Sequence, residues 1–172
     1  MPFTPFHMGP GILIKSLLHG SFSLMVFGWS QIVMDIQPLF VLITGDGHLH
    51  GFSHTYIGAT LLAVFSLLSG KYLSELGLRI MGISKKENPI NISWLVATTS
   101  AFIGTFSHVL LDSVMHSDVE PFYPFLLNNN FHGLVSVVSL HTFCLFSALL
   151  GAIIYFAVLY KTKNITRRSN GT

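Results

Sequence analysis

Residues 134–160, LVSVVSLHTFCLFSALLGAIIYFAVLY, contain no Asp, Glu, Lys or Arg, and this property decides the class of fold. An α-helix needs roughly 20 apolar residues to cross a bilayer, and it satisfies its own backbone hydrogen bonds in lipid. Three further apolar runs occupy residues 21–43, 55–73 and 93–111. The sequence therefore predicts an all-α, polytopic membrane bundle with four transmembrane helices.

The composition also indicates an integral membrane protein. Hydrophobic residues make up 51% of the 172 residues, charged residues make up only 9%, and the mean hydropathy is +0.63. Eight of the nine Lys and Arg residues fall in a loop and in the tail, so we expect no nucleic-acid partner. The single cysteine, Cys144, cannot form an intramolecular disulfide and is expected to be a small buried hydrophobe.

The segment before the first span is apolar but too short to cross a membrane. Residues 8–18 are interrupted by Pro10, Gly11 and Lys15, and a helix of this length rises only about 16 Å. We expect residues 1–20 to form the short arm of a helical hairpin with the first span, within a single membrane-embedded domain covering residues 1–172. The N-terminus, MPFTPFHMGPG, has no basic region or cleavage site, so a removable signal peptide is not expected.

Basic residues in the loops predict the orientation in the membrane. They lie between the second and third spans and in the tail, residues 161–172: Lys71, Arg79, Lys85, Lys86, Lys161, Lys163, Arg167 and Arg168. Loops rich in Lys and Arg face the cytoplasm, so we expect a multi-pass protein of the inner (plasma) membrane with a cytoplasmic C-terminus. The other two loops, residues 44–54 and 112–133, then share the extracytoplasmic side and contain no Lys or Arg.

These two outer loops and the adjoining helix ends carry residues with the spacing of metal ligands. His50 and His54 are four residues apart, as are His108 and Asp112, and residues at i and i+4 share one face of a helix. Two such pairs on neighbouring helix ends could surround one cation.

Two more potential ligands are expected at the same depth. Asp35 lies toward the outer end of the first span, where an ionised carboxylate is costly unless it is paired or bound to metal. If the hairpin turns near His19, about 12 residues descend from His7 and about 15 ascend to Asp35, which brings both to one level. The spacing therefore predicts that His7 and Asp35 meet the two i, i+4 pairs.

Several motifs resemble those of a known family. They are TPFH at 4–7, the Asp of MDIQP at 34–38, HGFSHT at 50–55, GTFSHVLLDSVMH at 104–116 and PFYPF at 121–125. Together they resemble the YdjM-type inner-membrane proteins, described as membrane-bound metal-dependent hydrolases, over residues 1 to about 150. The order His, Asp, His, His-x-x-x-Asp is also similar to that of zinc-dependent phospholipase C and the S1/P1 nucleases, all-helical phosphodiesterases with clustered zinc ions. The resemblance places metal ligands at His7, Asp35, His54, His108 and Asp112.

The resemblance implies metal-assisted hydrolysis of a phosphoester or lipid-linked substrate at the extracytoplasmic membrane surface. The expected cofactor is zinc, as one or two ions, with another divalent metal as the alternative. Asp35 and Asp112 are the predicted catalytic residues, and Asp112 would bridge to a second ion held by His7 and by His50 or His116. Because His116 lies eight residues after His108, about 12 Å along a helix, it can join only if the helix ends near Asp112.

Two other classes of function remain open from the sequence. In a haem-binding electron carrier, His54 and His108 would be the axial ligands. In a non-catalytic metal-binding or interaction protein, a closed four-ligand site would only hold the helices together. The remaining polar residues of this type are expected to be structural or solvated: His19, Asp46, His48, Asp118, Glu120, His132 and His141.

Overall fold

The structure, a computed structural model, describes residues 5–169 and is all-helical over that range. Residues 1–4, which carry part of the signal-peptide prediction, and residues 170–172 of the predicted basic tail lie outside the described residues, as do the side chains of residues 165–169. Five helices follow in order: α1 Met8–Leu18, α2 Leu24–Thr44, α3 Tyr56–Ile80, α4 Trp94–Met115 and α5 Val137–Ser169. The predicted fold class, a helical bundle, is confirmed.

Polar caps set where three of the long helices begin. The side chains of Ser23, Thr55 and Ser93 each accept a hydrogen bond from a backbone N–H in the first turn of α2, α3 and α4, at 3.3, 2.9 and 3.3 Å. Such caps satisfy donors that a helix leaves unpaired at its start. Helix α2 ends at Gly45, whose φ of 76° is a left-handed conformation that glycine adopts at little cost.

Four of the helices, α2 to α5, are long and apolar enough to cross a membrane, so the chain is a membrane protein. Their outer faces expose large apolar side chains, among them Phe40, Leu95 and Ile153 at 63%, 74% and 67%. In water such faces would be costly, whereas lipid solvates them.

The connection between α3 and α4 is shorter than the sequence indicated. Helix α3 continues to Ile80, so Lys71 and Arg79 lie on the helix rather than in the loop. Lys71 is buried, forms an ion pair with Glu75 and donates a hydrogen bond to Asn91 at 2.9 Å. Of the basic residues predicted to face the cytoplasm from this loop, Lys85 and Lys86 remain in it and are exposed.

Helices α2, α3 and α4 pack together as the centre of the bundle, and α1 packs mainly on α5. Both arrangements need glycine at the contact. A Cβ on Gly104 of α4 would collide with the Ser30 side chain of α2, and one on Gly151 of α5 would collide with the backbone of α1 at Leu13. The predicted hairpin is therefore covered by α5 rather than closed tightly on itself.

Candidate metal centre

Five buried side chains from four parts of the chain converge inside the bundle, and we call them the donor cluster: His7, Asp35, His54, His108 and Asp112. Each is less than 7% exposed, and both His54 and His108 are fully buried. His7 ends the 3-10 turn before α1, and His54 ends the 3-10 turn before α3. Asp35 lies on α2, while His108 and Asp112 lie one turn apart on α4.

The distances in the donor cluster fit a shared ion. The Nε2 atoms of His54 and His108 each lie 3.2 Å from Oδ2 of Asp112. His108 Nε2 also lies 3.4 Å from Asp35 Oδ1, and His7 Nε2 lies 3.3 Å from Asp112 Oδ1. Ligands placed tetrahedrally at 2.0–2.1 Å from a zinc ion are separated by about 3.3 Å. The donor spacing therefore matches the ligand shell of such an ion.

The same ring nitrogens lack hydrogen bonds. Among the described residues, the Nε2 atoms of His7, His54 and His108 have no hydrogen-bond partner, although all three are buried. A buried polar atom left unsatisfied costs about 1–3 kcal/mol, so several in one place call for an explanation. Metal ions that accept the lone pairs of these nitrogens would account for all three missing hydrogen bonds.

Neighbouring side chains turn the imidazoles toward the cluster. Gln31 donates from its amide nitrogen to the Gly104 carbonyl at 2.9 Å, so its Oε1 faces His108 Nδ1 at 2.7 Å. Because Oε1 can only accept, Nδ1 of His108 carries a proton, and a neutral ring would then offer the lone pair of Nε2 to a metal. Similarly, Ser53 Oγ lies 2.9 Å from Nδ1 of His54. The role of Gln31 was not predicted from the sequence, in which the residue is marked only as an amide inside an apolar span.

The electrostatics at His54 favour a neutral ring. Burial lowers the pKa of His54 below its ordinary value, although the carboxylate of Asp112 opposes the shift. A neutral imidazole is the form that binds a metal.

A second group, the outer triad, lies beside the donor cluster and consists of His50, His116 and Asp118. His50 Nδ1 donates to Asp118 Oδ2 at 2.9 Å, and the rings of His50 and His116 stack with centroids 4.4 Å apart. Partial burial is the largest single effect and raises the pKa of Asp118, but the hydrogen bond and charge of His50, together with smaller contributions, lower the pKa overall. Burial, and then the neighbouring His50, lower the pKa of His116.

His50 links the outer triad to the donor cluster. Its Nδ1 is bonded to Asp118, and one of its nitrogens lies within 4.8 Å of donor atoms of His54 and Asp112. A carboxylate that orients a histidine in this way is a common feature of metal sites. Asp118 therefore acts on the cluster through His50, a role that its position in an acidic loop did not reveal.

The structure places His116 differently from the expectation. Helix α4 continues to Met115 instead of ending near Asp112, and His116 becomes its C-terminal cap. Within the part of the chain that is described, no donor group joins His116 to Asp112; its group is the outer triad. A bridge from Asp112 to an ion held by His116 is therefore not the arrangement observed, and His50 is the residue that reaches both.

The other histidines lie away from the cluster. His48 and His132 are exposed, and so are Asp46 and His19. His141 stacks on Phe6 with ring centroids 4.5 Å apart, which places it against the residue before His7. Cys144 is buried, as predicted.

Two cavities flank the donor cluster. A cavity of about 500 Å³ with mostly apolar walls includes His7 and Asp35 in its lining. A second, of about 370 Å³, is lined by polar groups of the outer loops, including His50, Asp118 and Glu120. The apolar cavity therefore reaches the donor cluster, and the polar cavity reaches the neighbouring outer triad.

The geometry does not fit the haem alternative. Axial histidines must lie on opposite faces of a macrocycle. Here the rings of His54 and His108 lie with centroids 5.2 Å apart and both point at one carboxylate oxygen of Asp112. No space for a macrocycle separates them.

Comparison of the chain with known proteins found no matching family model, no matching curated protein and no matching solved structure. The geometry of the cluster is therefore the basis for a function, together with the motifs that resemble the YdjM-type proteins.

Proposed function

We propose that this membrane protein is a zinc-dependent hydrolase, similar to the YdjM-type family, that cleaves a phosphoester or lipid-linked ester. The observation that carries the proposal is the convergence of three buried Nε2 atoms, none with a hydrogen-bond partner, on the carboxylate of Asp112, at distances that fit the ligands of a metal centre. Burying these nitrogens without hydrogen-bond partners costs free energy of folding, and binding a cation would offset that cost.

Access to the cluster favours an enzyme over a closed structural site. A structural zinc site is fully enclosed by its protein ligands, whereas a catalytic site keeps a position open. Here His7 and Asp35 line the apolar cavity, so the cluster borders a space large enough for a small-molecule ligand. The polar cavity is lined by His50 and Asp118 of the outer triad.

The ligands divide into two sets in this proposal. Asp35, His54, His108 and Asp112 would hold the first ion, and His7 with Oδ1 of Asp112 supplies donors for a second. A bound zinc ion would act as a Lewis acid and lower the pKa of water at an open position to about 7.

The two carboxylates have separate tasks in the reaction. The carboxylate of Asp112 lies next to three imidazoles, so it would hold the metal together with them. Asp35 borders the cavity and accepts the proton of the attacking water. The water oxygen bonds to phosphorus, the phosphorus–oxygen ester bond breaks, and the proton passes from Asp35 to the departing alkoxide, which leaves as an alcohol.

We further propose that the protein lies in the inner (plasma) membrane with its C-terminus in the cytoplasm. The exposed Lys85 and Lys86 between α3 and α4 support this orientation, together with Lys161 and Lys163 in the tail. The donor cluster then opens toward the extracytoplasmic side.

Hydrolysis of a chromogenic phosphodiester by the purified protein tests the activity. We expect turnover that stops when a chelator removes the metal and returns when zinc is added. Asp35→Asn should weaken zinc binding and, even at saturating zinc, lower turnover by about 10²-fold or more, because a neutral amide cannot accept the proton.

His132→Ala is the matched control, since His132 is exposed and belongs to none of the potential donor groups among the described residues. A turnover that is indifferent to chelation, or that Asp35→Asn leaves intact, would contradict the proposal. Bound zinc with no turnover on any ester would leave the non-catalytic metal-binding alternative.

A further inference from the structure

The apolar cavity beside the donor cluster is an elongated groove along α2. Its lining follows α2 from Leu24 and Met25 through Trp29 and Ile32 to Asp35. From Leu24 to Asp35 the helix rises about 16 Å. Leu73 of α3 lines the same end as Leu24.

The groove opens on the outer surface of the apolar spans. Ile32 and Leu73 are each 45% exposed, and Met25 is 38% exposed. These residues lie within α2 and α3, two of the four helices apolar enough to cross a membrane. An occupant must therefore enter from the hydrocarbon region, where the available chemistry is that of a lipid chain.

One end of the groove carries ionisable and amide side chains, which a bare hydrocarbon ligand would not need. His7, Gln31 and Asp35 line the groove and also belong to the donor cluster or orient it. A ligand that fills the groove therefore places its polar end against potential metal ligands and its apolar end toward Leu24. This is the shape of a lipid with one chain attached near a headgroup ester.

We propose that the groove binds the hydrocarbon chain of a lipid substrate, with the scissile headgroup phosphoester at the donor cluster. This inference rests on the proposed hydrolase function and names its substrate class. The polar cavity lined by Asp118 and Glu120 then faces the headgroup and its water.

Trp29 offers a direct probe of the groove. Its indole N–H donates to Ser69 at 2.9 Å, which fixes the ring within the lining. The chain has two tryptophans, so Trp94→Phe leaves Trp29 as the sole reporter. We would titrate a phospholipid with brominated acyl chains into this variant in detergent and record tryptophan quenching. Quenching should saturate near one lipid per protein.

Gly28→Leu supplies the test variant. Gly28 lines the groove, and its Cβ would contact only the flexible end of Met8, so a leucine there projects into the groove. Each methylene kept out of an apolar site weakens binding about fourfold, so lipid binding should weaken at least about tenfold. Gly20→Leu is the matched control, because nothing lies near a Cβ at Gly20. Ile32→Phe, at an exposed position, narrows the same groove without touching the core.

Zinc content separates this inference from the proposed function. Gly28→Leu and Ile32→Phe should bind zinc like the wild type and should lose activity on long-chain substrates while retaining it on short chromogenic esters. Quenching that does not saturate, or that both groove variants leave unchanged, shows only bulk lipid and overturns the inference even if zinc-dependent hydrolysis is present. Saturable quenching in a protein without zinc would refute the hydrolase and the substrate assignment together.

Discussion

At the scale of single residues, the orientation of each imidazole decides whether the cluster can bind metal. His108 directs Nε2 toward the donor cluster because Gln31 Oε1 accepts a hydrogen bond from Nδ1–H at 2.7 Å. We expect Gln31→Leu to lower zinc affinity about 10- to 100-fold, the usual loss when the partner of a metal-binding histidine is removed. Competition with a chromogenic chelator measures it.

Ser100→Ala provides the control for this prediction. It also removes a buried hydrogen-bond acceptor between α2 and α4, since Ser100 Oγ accepts from the Ser23 backbone N–H at 2.8 Å, but it does not touch the donor cluster. It should lower thermal stability and leave zinc affinity unchanged. Equal losses of affinity in both variants would mean that Gln31 acts only through general stability.

At the scale of helices, the position of His7 depends on how closely α1 approaches α5. Gly151 permits that approach, because a Cβ there would collide with the α1 backbone at Leu13. We expect Gly151→Ala to lower stability by about 1–3 kcal/mol, the usual cost of overpacking, as measured by thermal unfolding in detergent. Gly20→Ala, where the space is open, should be close to neutral. A Gly151→Ala variant as stable as the wild type would show that α1 does not pack here.

The regular geometry of helices explains how much of the site was predictable. His108 and Asp112 are one turn apart in any helix, and equal rises on the two arms of a hairpin bring His7 and Asp35 to one depth. The structure places all four side chains together. The prediction needed only residue counts along helices.

Features that depend on helix ends and on neighbouring helices were not predictable. Among the described residues, no donor group contains both His116 and Asp112, because α4 continues to Met115. The packing of the whole bundle sets this helix end. Asp118 reaches His50 across the outer loops, 68 residues away in the sequence. The packing of α1 on α5 likewise depends on Gly151, which local sequence does not distinguish from other glycines.

At the scale of the whole molecule, the proposed orientation in the membrane rests on where the exposed lysines lie. Lys85 sits in the loop between α3 and α4, and Asp46 sits in the loop between α2 and α3. In a Cys144→Ser background, we expect Asp46→Cys, but not Lys85→Cys, to react with a membrane-impermeant maleimide added outside intact cells. The reverse pattern would invert the protein and place its substrate in the cytoplasm.

The most direct test of the account is the metal content of the purified protein and of a variant without three central ligands. The wild type should retain one or two zinc ions per chain, and His54→Ala, His108→Ala and Asp112→Ala combined should lose them, because ligands of one ion act as a unit. His132→Ala should match the wild type. If the triple variant keeps the full metal content, the donor cluster is not a metal site and the proposed function is wrong.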